Sequence, residues 1–204
     1  MKVFIFCRYP EQGRVKTRIA SECGDAAALA IYGKMLKAVF NNLKQSDYSF
    51  EIHHTGGSRD EVEFWLEKMD SRPQAEGDLG AKLSYAVENW FETETEPLVI
   101  IGSDQIEIDN AVLIEAEKIL QSKDIVLGPA EDGGYYLVGM TKAQIEIFKD
   151  ISWGTETVLA ETVQKLNDNG LTYGLLPVKS DIDYLKDVPK EWQRELLLYE
   201  NDDN

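Results

Sequence analysis

The chain has 204 residues, of which 43 % are hydrophobic and 28 % charged, and its formal net charge is −16. This size and composition fit one folded domain over residues 1–199 with a short flexible tail over 200–204, and exclude a disordered chain. The negative charge argues against binding to nucleic acid or to anionic membranes, no apolar run approaches the ~20 residues of a membrane span, and two cysteines give neither a disulfide framework nor a zinc cluster, so a cytoplasmic protein is expected.

Strand-like and helix-like patterns alternate along the chain. Residues 3–7 form an apolar run that reads as a buried strand, with Cys7 as a small core residue. A loop follows with four basic residues, Arg8, Arg14, Lys16 and Arg18, against one acid, Glu11, and with Pro10, Gly13 and Thr17 among them. A cationic loop on an acidic protein suggests a place that receives an anion such as a phosphate, the alternative being a solvated basic turn. Asp25 is placed to cap a helix over 26–43, where Leu29, Tyr32, Leu36, Val39 and Leu43 recur at helical spacing. A strand over 49–54, a Gly56-Gly57 loop and a short helix from Ser58 or Asp60 come next. The polar stretch 74–80, with Gln74, Gly77, Asp78 and Gly80, reads either as a Gly-rich loop presenting N–H groups to a ligand or as a plain helix start capped by Asp78. The helix is expected over 81–91.

Residues 97–102 are apolar on consecutive positions and read as a strand buried on both faces. Ser103 and Asp104 follow it directly. Asp104 is either a divalent-metal ligand or a helix cap, and because the next helix starts nearer 111, the cap is better assigned to Asp109. A strand over 125–127 leads to Glu131, Asp132, Gly133, Gly134, Tyr135 and Tyr136. This segment offers a general base or second metal ligand, a close backbone approach and stackable rings; the alternative is an Asp-Gly hairpin turn whose tyrosines sit in the core. Trp153-Gly154-Thr155 borders an acceptor pocket or packs in the core. A helix over 156–166 ends at Asn169-Gly170, a last strand covers 173–176 and a last helix 190–198, where Trp192 and Leu196–Leu198 leave room for a homodimer contact. Asp181, Asp183 and Asp187 form an acidic turn, metal-facing or solvated.

The alternation indicates an α/β sandwich with a mostly parallel central sheet. Three polar motifs then fall after strand ends, on the rim where such sheets bind ligands. There is no P-loop order, no Gly-x-Gly-x-x-Gly fingerprint, and His53 and His54 are the only histidines, so the chemistry is expected to rest on carboxylates, cations and a metal rather than on a helix N-terminus.

Taken in order, Pro10-x-x-Gly13-x-Val15-Lys16-Thr17-Arg18, Gln74 with Gly77-Asp78-Leu79-Gly80, Gly102-Ser103-Asp104, Gly128-Pro129-Ala130-x-Asp132-Gly133-Gly134-Tyr135-Tyr136, Trp153-Gly154-Thr155, and Asp181-Ile182-Asp183 with Asp187 resemble a group of bacterial GT-A-type candidate glycosyltransferases. These belong to the nucleotide-diphospho-sugar transferase superfamily and are related to molybdenum-cofactor and phospholactate guanylyltransferases. The resemblance implies a three-layer α/β/α sandwich and a nucleotide-phosphate substrate. It places Arg14, Lys16 and Arg18 at the phosphates and Asp104 at Mg²⁺ or Mn²⁺; apart from the resemblance, Asp183 or Asp132 is the candidate to join Asp104 at the metal. The family usually follows that aspartate with x-Pro, whereas this chain has Gln105-Ile106. The leading expectation is a metal-dependent transferase with a nucleotide-sugar donor and a small-molecule acceptor. Asp132 and Lys16 are its catalytic candidates, and Arg8, Gly13, Thr17, Gln74, Gly77, Asp78, Gly80, Gly133, Gly134, Tyr135 and Trp153 join the cations in holding substrate. A nucleotidyltransferase using a nucleoside triphosphate and a non-catalytic nucleotide-binding regulator are the rivals.

Overall fold

The computed structural model describes residues 1–66 and 69–199, without the side chains of 196–199. The expected tail over 200–204 and the Leu196–Leu198 contact surface therefore lie outside what is described. Among the described residues, seven strands form one sheet in the order β3-β2-β1-β4-β6-β5-β7. They are β1 (Lys2–Arg8), β2 (Ser49–Thr55), β3 (Ser71–Pro73), β4 (Leu98–Gly102), β5 (Ile125–Pro129), β6 (Tyr135–Met140) and β7 (Tyr173–Leu175). All neighbouring pairs are parallel except those made by β6, which runs antiparallel to both β4 and β5.

Helices α1 (Thr17–Cys23), α2 (Asp25–Lys44), α3 (Arg59–Trp65), α4 (Leu79–Thr93), α5 (Asn110–Leu120), α6 (Val158–Asp168) and α7 (Lys190–Tyr199) cover the sheet. The side-chain alternation of β1 shows how the layers divide. Val3, Ile5 and Cys7 enter the cluster built with α1, α2, α3 and α5, while Phe4 and Phe6 enter the cluster built with α4, α6 and the 3₁₀ turn Ile145–Phe148. The three-layer α/β/α sandwich expected from the motifs is what forms. No helix among the described residues is long and apolar enough to cross a membrane.

Some local readings need correction. Asp25 is not a cap: α1 ends at Cys23, the chain turns through Gly24 at φ 85°, and α2 begins at Asp25 itself without a side-chain cap. Helix α1 was not expected, because seven residues with only Ile19 buried carry no readable period. Strand β3 is three residues at a sheet edge and equally silent. Asp109 does cap α5, accepting the Val112 N–H at 3.0 Å, which leaves Asp104 outside that role.

Away from the ligand rim, Glu51 and His53 are buried on β2. Glu51 Oε1 lies 2.6 Å from Arg72 Nε, an ionic contact, and 3.2 Å from His53 Nε2, neither angled as a hydrogen bond. Burial pushes the Glu51 carboxyl up, but its side-chain contact with His53 and the charge of Arg72 outweigh it and hold the group below its ordinary range.

The chain reverses its direction across the sheet between β1 and β4: β2 and β3 lie on one side of β1, and β4 on the other. The carboxyl ends of these two strands define the crevice in which open α/β sheets bind ligands.

Candidate functional site

A cleft of about 720 Å³ opens at that point. Its floor is the end of β1, at Phe6, Cys7 and Arg8, beside Ser103 and Asp104 after β4. Tyr32 from α2 fixes the floor, since its hydroxyl donates to Arg8 O at 3.0 Å and accepts the Arg8 N–H at 2.9 Å. Burial, with a contribution from Asp104, pushes the Cys7 thiol up to about 12, so Cys7 is the inert core residue expected.

One wall is the basic loop, and its centre is Lys16. The Lys16 side chain is only 7 % exposed, and its Nζ lies 2.9 Å from Asp104 Oδ1 and 3.2 Å from Asp183 Oδ1 while donating to Ile182 O at 2.6 Å. Its backbone is left-handed, φ 44° and ψ 49°, which for a lysine costs on the order of 1–2 kcal/mol and is sustained by those contacts. Arg18 Nη1 holds the second oxygen of Asp183 at 2.8 Å, and exposed Arg14 pairs with Glu11 at 3.1 Å. Three of the four loop cations are thus matched by carboxylates, and two of them, Lys16 and Arg18, share Asp183, which lies 167 and 165 positions away in the chain. The loop runs straight into the seven-residue helix α1, which starts at Thr17.

Asp183 arrives on a strap, residues 177–187, that crosses the rim. The strap pairs with the end of β5 through Lys179 N–H to Pro129 O, at 3.1 Å, and with β4's extension through Ile182 N–H to Asp104 O, at 3.2 Å. Gln105, 2 % exposed, secures it by donating to Ser180 O at 2.8 Å. Gln105, at the variable position directly after the aspartate and just before the Ile106 that stands where the family usually has proline, is therefore a positioning residue for the acidic strap. Asp181, on the same strap, has a buried Oδ1 with no hydrogen-bond partner. Burial, then the charges of Asp104 and Asp132, push its carboxyl up to about 7. Asp104, Asp132, Asp181 and Asp183 share one neighbourhood in which Lys16 and Arg18 do not balance the charge. No group of three or more His, Cys, Asp or Glu among the described residues is arranged to hold a metal ion. The charge nevertheless fits a divalent cation, because Mg²⁺ ordinarily takes one or two carboxylates together with substrate oxygens.

The opposite wall comes from the stretch after β3. Gln74, Gly77, Asp78 and Leu79 line it, joined by Lys82, which sequence reasoning missed because it sits one turn inside a helix. Gln74 Nε2 donates to His53 O at 2.8 Å and Cys7 O at 3.4 Å, so the group Gln74 has left to offer a ligand is its acceptor oxygen. Asp78 caps α4 through Oδ1, the plainer of its two readings, while still lining the cleft.

Arg8, Arg14, Lys16, Thr17, Arg18, Gln74, Gly77, Asp78, Asp104 and Asp183 are brought together. Gly13, Gly80, Asp132, Gly133, Gly134, Tyr135 and Trp153 are not among the lining residues. Gly13 turns the basic loop at φ 75° behind the cleft. Gly80 packs against Trp153, where a Cβ would stand 2.6 Å from the indole nitrogen. Trp153 in turn meets Tyr135 edge-on at 6.2 Å. Asp132 accepts the Gly134 N–H at 2.9 Å in a hairpin turn, and Gly133 O accepts the Leu159 N–H at 2.8 Å. The Tyr135 hydroxyl is buried, and Tyr136 is in the core with its hydroxyl donating to Pro177 O at 3.0 Å. The tyrosines expected to stack on a ligand are structural here, because both run into β6 with their rings packed in the fold.

A family profile described as an uncharacterized protein conserved in bacteria (DUF2064) matches residues 39–155, more than half of the chain. The chain belongs to that family. No curated protein sequence matches it. Among solved structures, a Desulfovibrio desulfuricans protein provisionally named a nucleotide-diphospho-sugar transferase is 29 % identical, with a TM-score of 0.84 over 91 % of this chain and 84 % of that one. The inositol-1-phosphate CTP transferase of T. maritima shares the fold at 15 % identity, TM-score 0.60, over 94 % and 93 % of the two chains. So does a Mycobacterium tuberculosis protein solved in complex with manganese, at 17 % identity and TM-score 0.51, over 96 % and 97 %.

Proposed function

We propose that this protein is a metal-dependent cytoplasmic transferase that takes a nucleotide-phosphate donor in the β1/β4 cleft, with a nucleotide-sugar as the leading donor. The observation that carries the reading is the meeting of Lys16, Arg18, Asp104 and Asp183 at the topological switch point, where an anion and a cation can be held side by side. The similarity to the D. desulfuricans protein supports the sugar donor. Arg8, Arg14 and Arg18 bind the phosphates, and Gln74, Gly77, Asp78 and Lys82 border the rest of the nucleotide. Asp104, with Asp183, would hold Mg²⁺ or Mn²⁺, which supplies Lewis-acid stabilisation of charge on the departing phosphate. Asp132, on the rim beside Asp181, is the candidate base for a hydroxyl acceptor.

Nucleotidyl transfer is the second reading, favoured by the shared fold with the T. maritima CTP transferase. It places the same cations around a triphosphate. A calorimetric titration with UDP-sugars, GTP and CTP, with and without Mn²⁺, tests the proposal. Metal-dependent binding of one of them is expected. Metal-independent binding without turnover would leave a regulator, and no binding under any condition would end the nucleotide reading. Nucleoside diphosphate as product marks glycosyl transfer, and pyrophosphate marks nucleotidyl transfer.

A further inference from the structure

The same lysine that the proposed function assigns to substrate is engaged with the residues assigned to metal. Lys16 Nζ lies between Asp104 Oδ1 and Asp183 Oδ1, with Ile182 O as a third oxygen at 2.6 Å. An ammonium among three oxygens, 7 % exposed, occupies the position a small cation would take. It is also a poor match for the charge around it. Asp181 Oδ1 stays buried and without a partner on the same strap, and Asp132 adds a further carboxylate nearby. A divalent cation would answer that excess better than one ammonium does.

The surroundings allow the lysine to leave. Asp183 keeps Arg18 at 2.8 Å, and the strap keeps its backbone bond to Asp104 and its anchor on Gln105, so the carboxylates stay in place without Lys16. The lysine itself is held in left-handed backbone, a conformation that persists only while its contacts over-determine it. Its flexible stem starts in a loop that lines the phosphate side of the cleft, between Arg14 and Arg18.

We infer that Lys16 is the resident counter-ion of this site, and that a divalent cation displaces its ammonium from Asp104 and Asp183 towards the nucleotide phosphates. The inference rests on the metal-nucleotide reading above. Metal entry frees a phosphate donor, and phosphates capture the freed ammonium, so metal and nucleotide each raise the affinity for the other. Lys16 acts here as a built-in competitor of the metal for Asp104 and Asp183, so losing it should tighten metal binding rather than weaken it.

The test is Mn²⁺ binding to the full chain without nucleotide, read from the free-Mn²⁺ electron paramagnetic resonance signal, for wild type, Lys16→Met and Asp104→Asn. Lys16→Met should bind at least tenfold tighter than wild type, and Asp104→Asn should lose the site. Equal affinity of wild type and Lys16→Met, with loss in Asp104→Asn, would overturn the counter-ion role while keeping the metal on Asp104. No Mn²⁺ binding to any form, even with nucleotide added, would sink the counter-ion role together with the metal reading beneath it. In case Lys16→Met fails to fold, acetic anhydride labelling of wild type gives a second readout. Mn²⁺ should raise acetylation of Lys16 severalfold by peptide mass spectrometry, and unchanged labelling contradicts the displacement.

Discussion

The rim between β1 and β4 and the hairpin joining β5 to β6 both carry acidic residues next to glycines, and they use them in opposite ways. At the first, charged side chains from three distant segments converge on an open cleft: Lys16 and Arg18, Asp104, and Asp183. At the second, the glycines let backbone approach backbone. A Cβ on Gly133, at φ 89°, would stand 2.1 Å from Glu156 O. The glycines of such a motif can thus serve close packing even where its aspartate, here Asp132, is a candidate for chemistry. What separates the two regions is whether charge or steric fit binds the motif to the rest of the chain.

That contrast can be broken by substitution. Gly133→Ala should have the largest effect, a loss of about 3 kcal/mol or more, because it combines a strained φ with a clash against backbone. Thermal melting checks this, and a native-like melting temperature would mean that the hairpin is not tightly docked. Asp104→Asn should leave the fold intact yet weaken Mn²⁺-nucleotide binding tenfold to a hundredfold, the range of about 1.5–3 kcal/mol for a charge-assisted contact. Unchanged affinity would remove Asp104 from the site. Gly80→Ala belongs with the hairpin: a Cβ there meets Trp153 and Phe148 O, so about 1–3 kcal/mol of stability is lost while the affinity of the folded fraction for nucleotide stays put. Gln105→Leu should straddle the two regions. It costs about 1–2 kcal/mol by leaving Ser180 O unpaired, and lowers metal affinity by loosening the strap, both visible in parallel melts and titrations.

The smallest effect lies at buried charge with no cleft beside it. The Glu51 carboxyl is held below its ordinary range, so its stabilising contribution is complete above that range and fades as pH falls through its lowered value. Glu51→Gln should therefore flatten the loss of unfolding free energy between about pH 5 and pH 3 by less than about 1 kcal/mol, read from melts across that range, since Arg72 is exposed and screened. An identical acid profile in the variant would show that Glu51 is not a linked group.

Much of this was readable in the sequence. The strand Leu98–Gly102, buried along its apolar run, announced itself, and Asp104 followed from its place after it. The alternation of elements pointed to an α/β sandwich with a mostly parallel sheet, and the family resemblance implied its three layers. The motifs on the rim were readable as motifs, but their partners were not. Nothing local in Lys16 tells that its ammonium reaches Asp183, which needs the strap to fold back across the rim. Gln105 sits at a variable position of the motif and carried no signal of its own, and only its bond to Ser180 O shows its use. Tyr135 and Tyr136 misled because an aromatic pair after two glycines looks the same whether its rings meet a ligand or Trp153.

A crystal of the protein soaked with Mn²⁺ and a mixture of UDP-sugar, GTP and CTP tests the central claim most directly. The account predicts nucleotide phosphates beside Arg14 and Arg18, Mn²⁺ on Asp104, and Lys16 turned from the carboxylates to a phosphate oxygen. Phosphates seated at the Gly133-Gly134 hairpin near Trp153, or an empty β1/β4 cleft with nucleotide bound elsewhere, would contradict it.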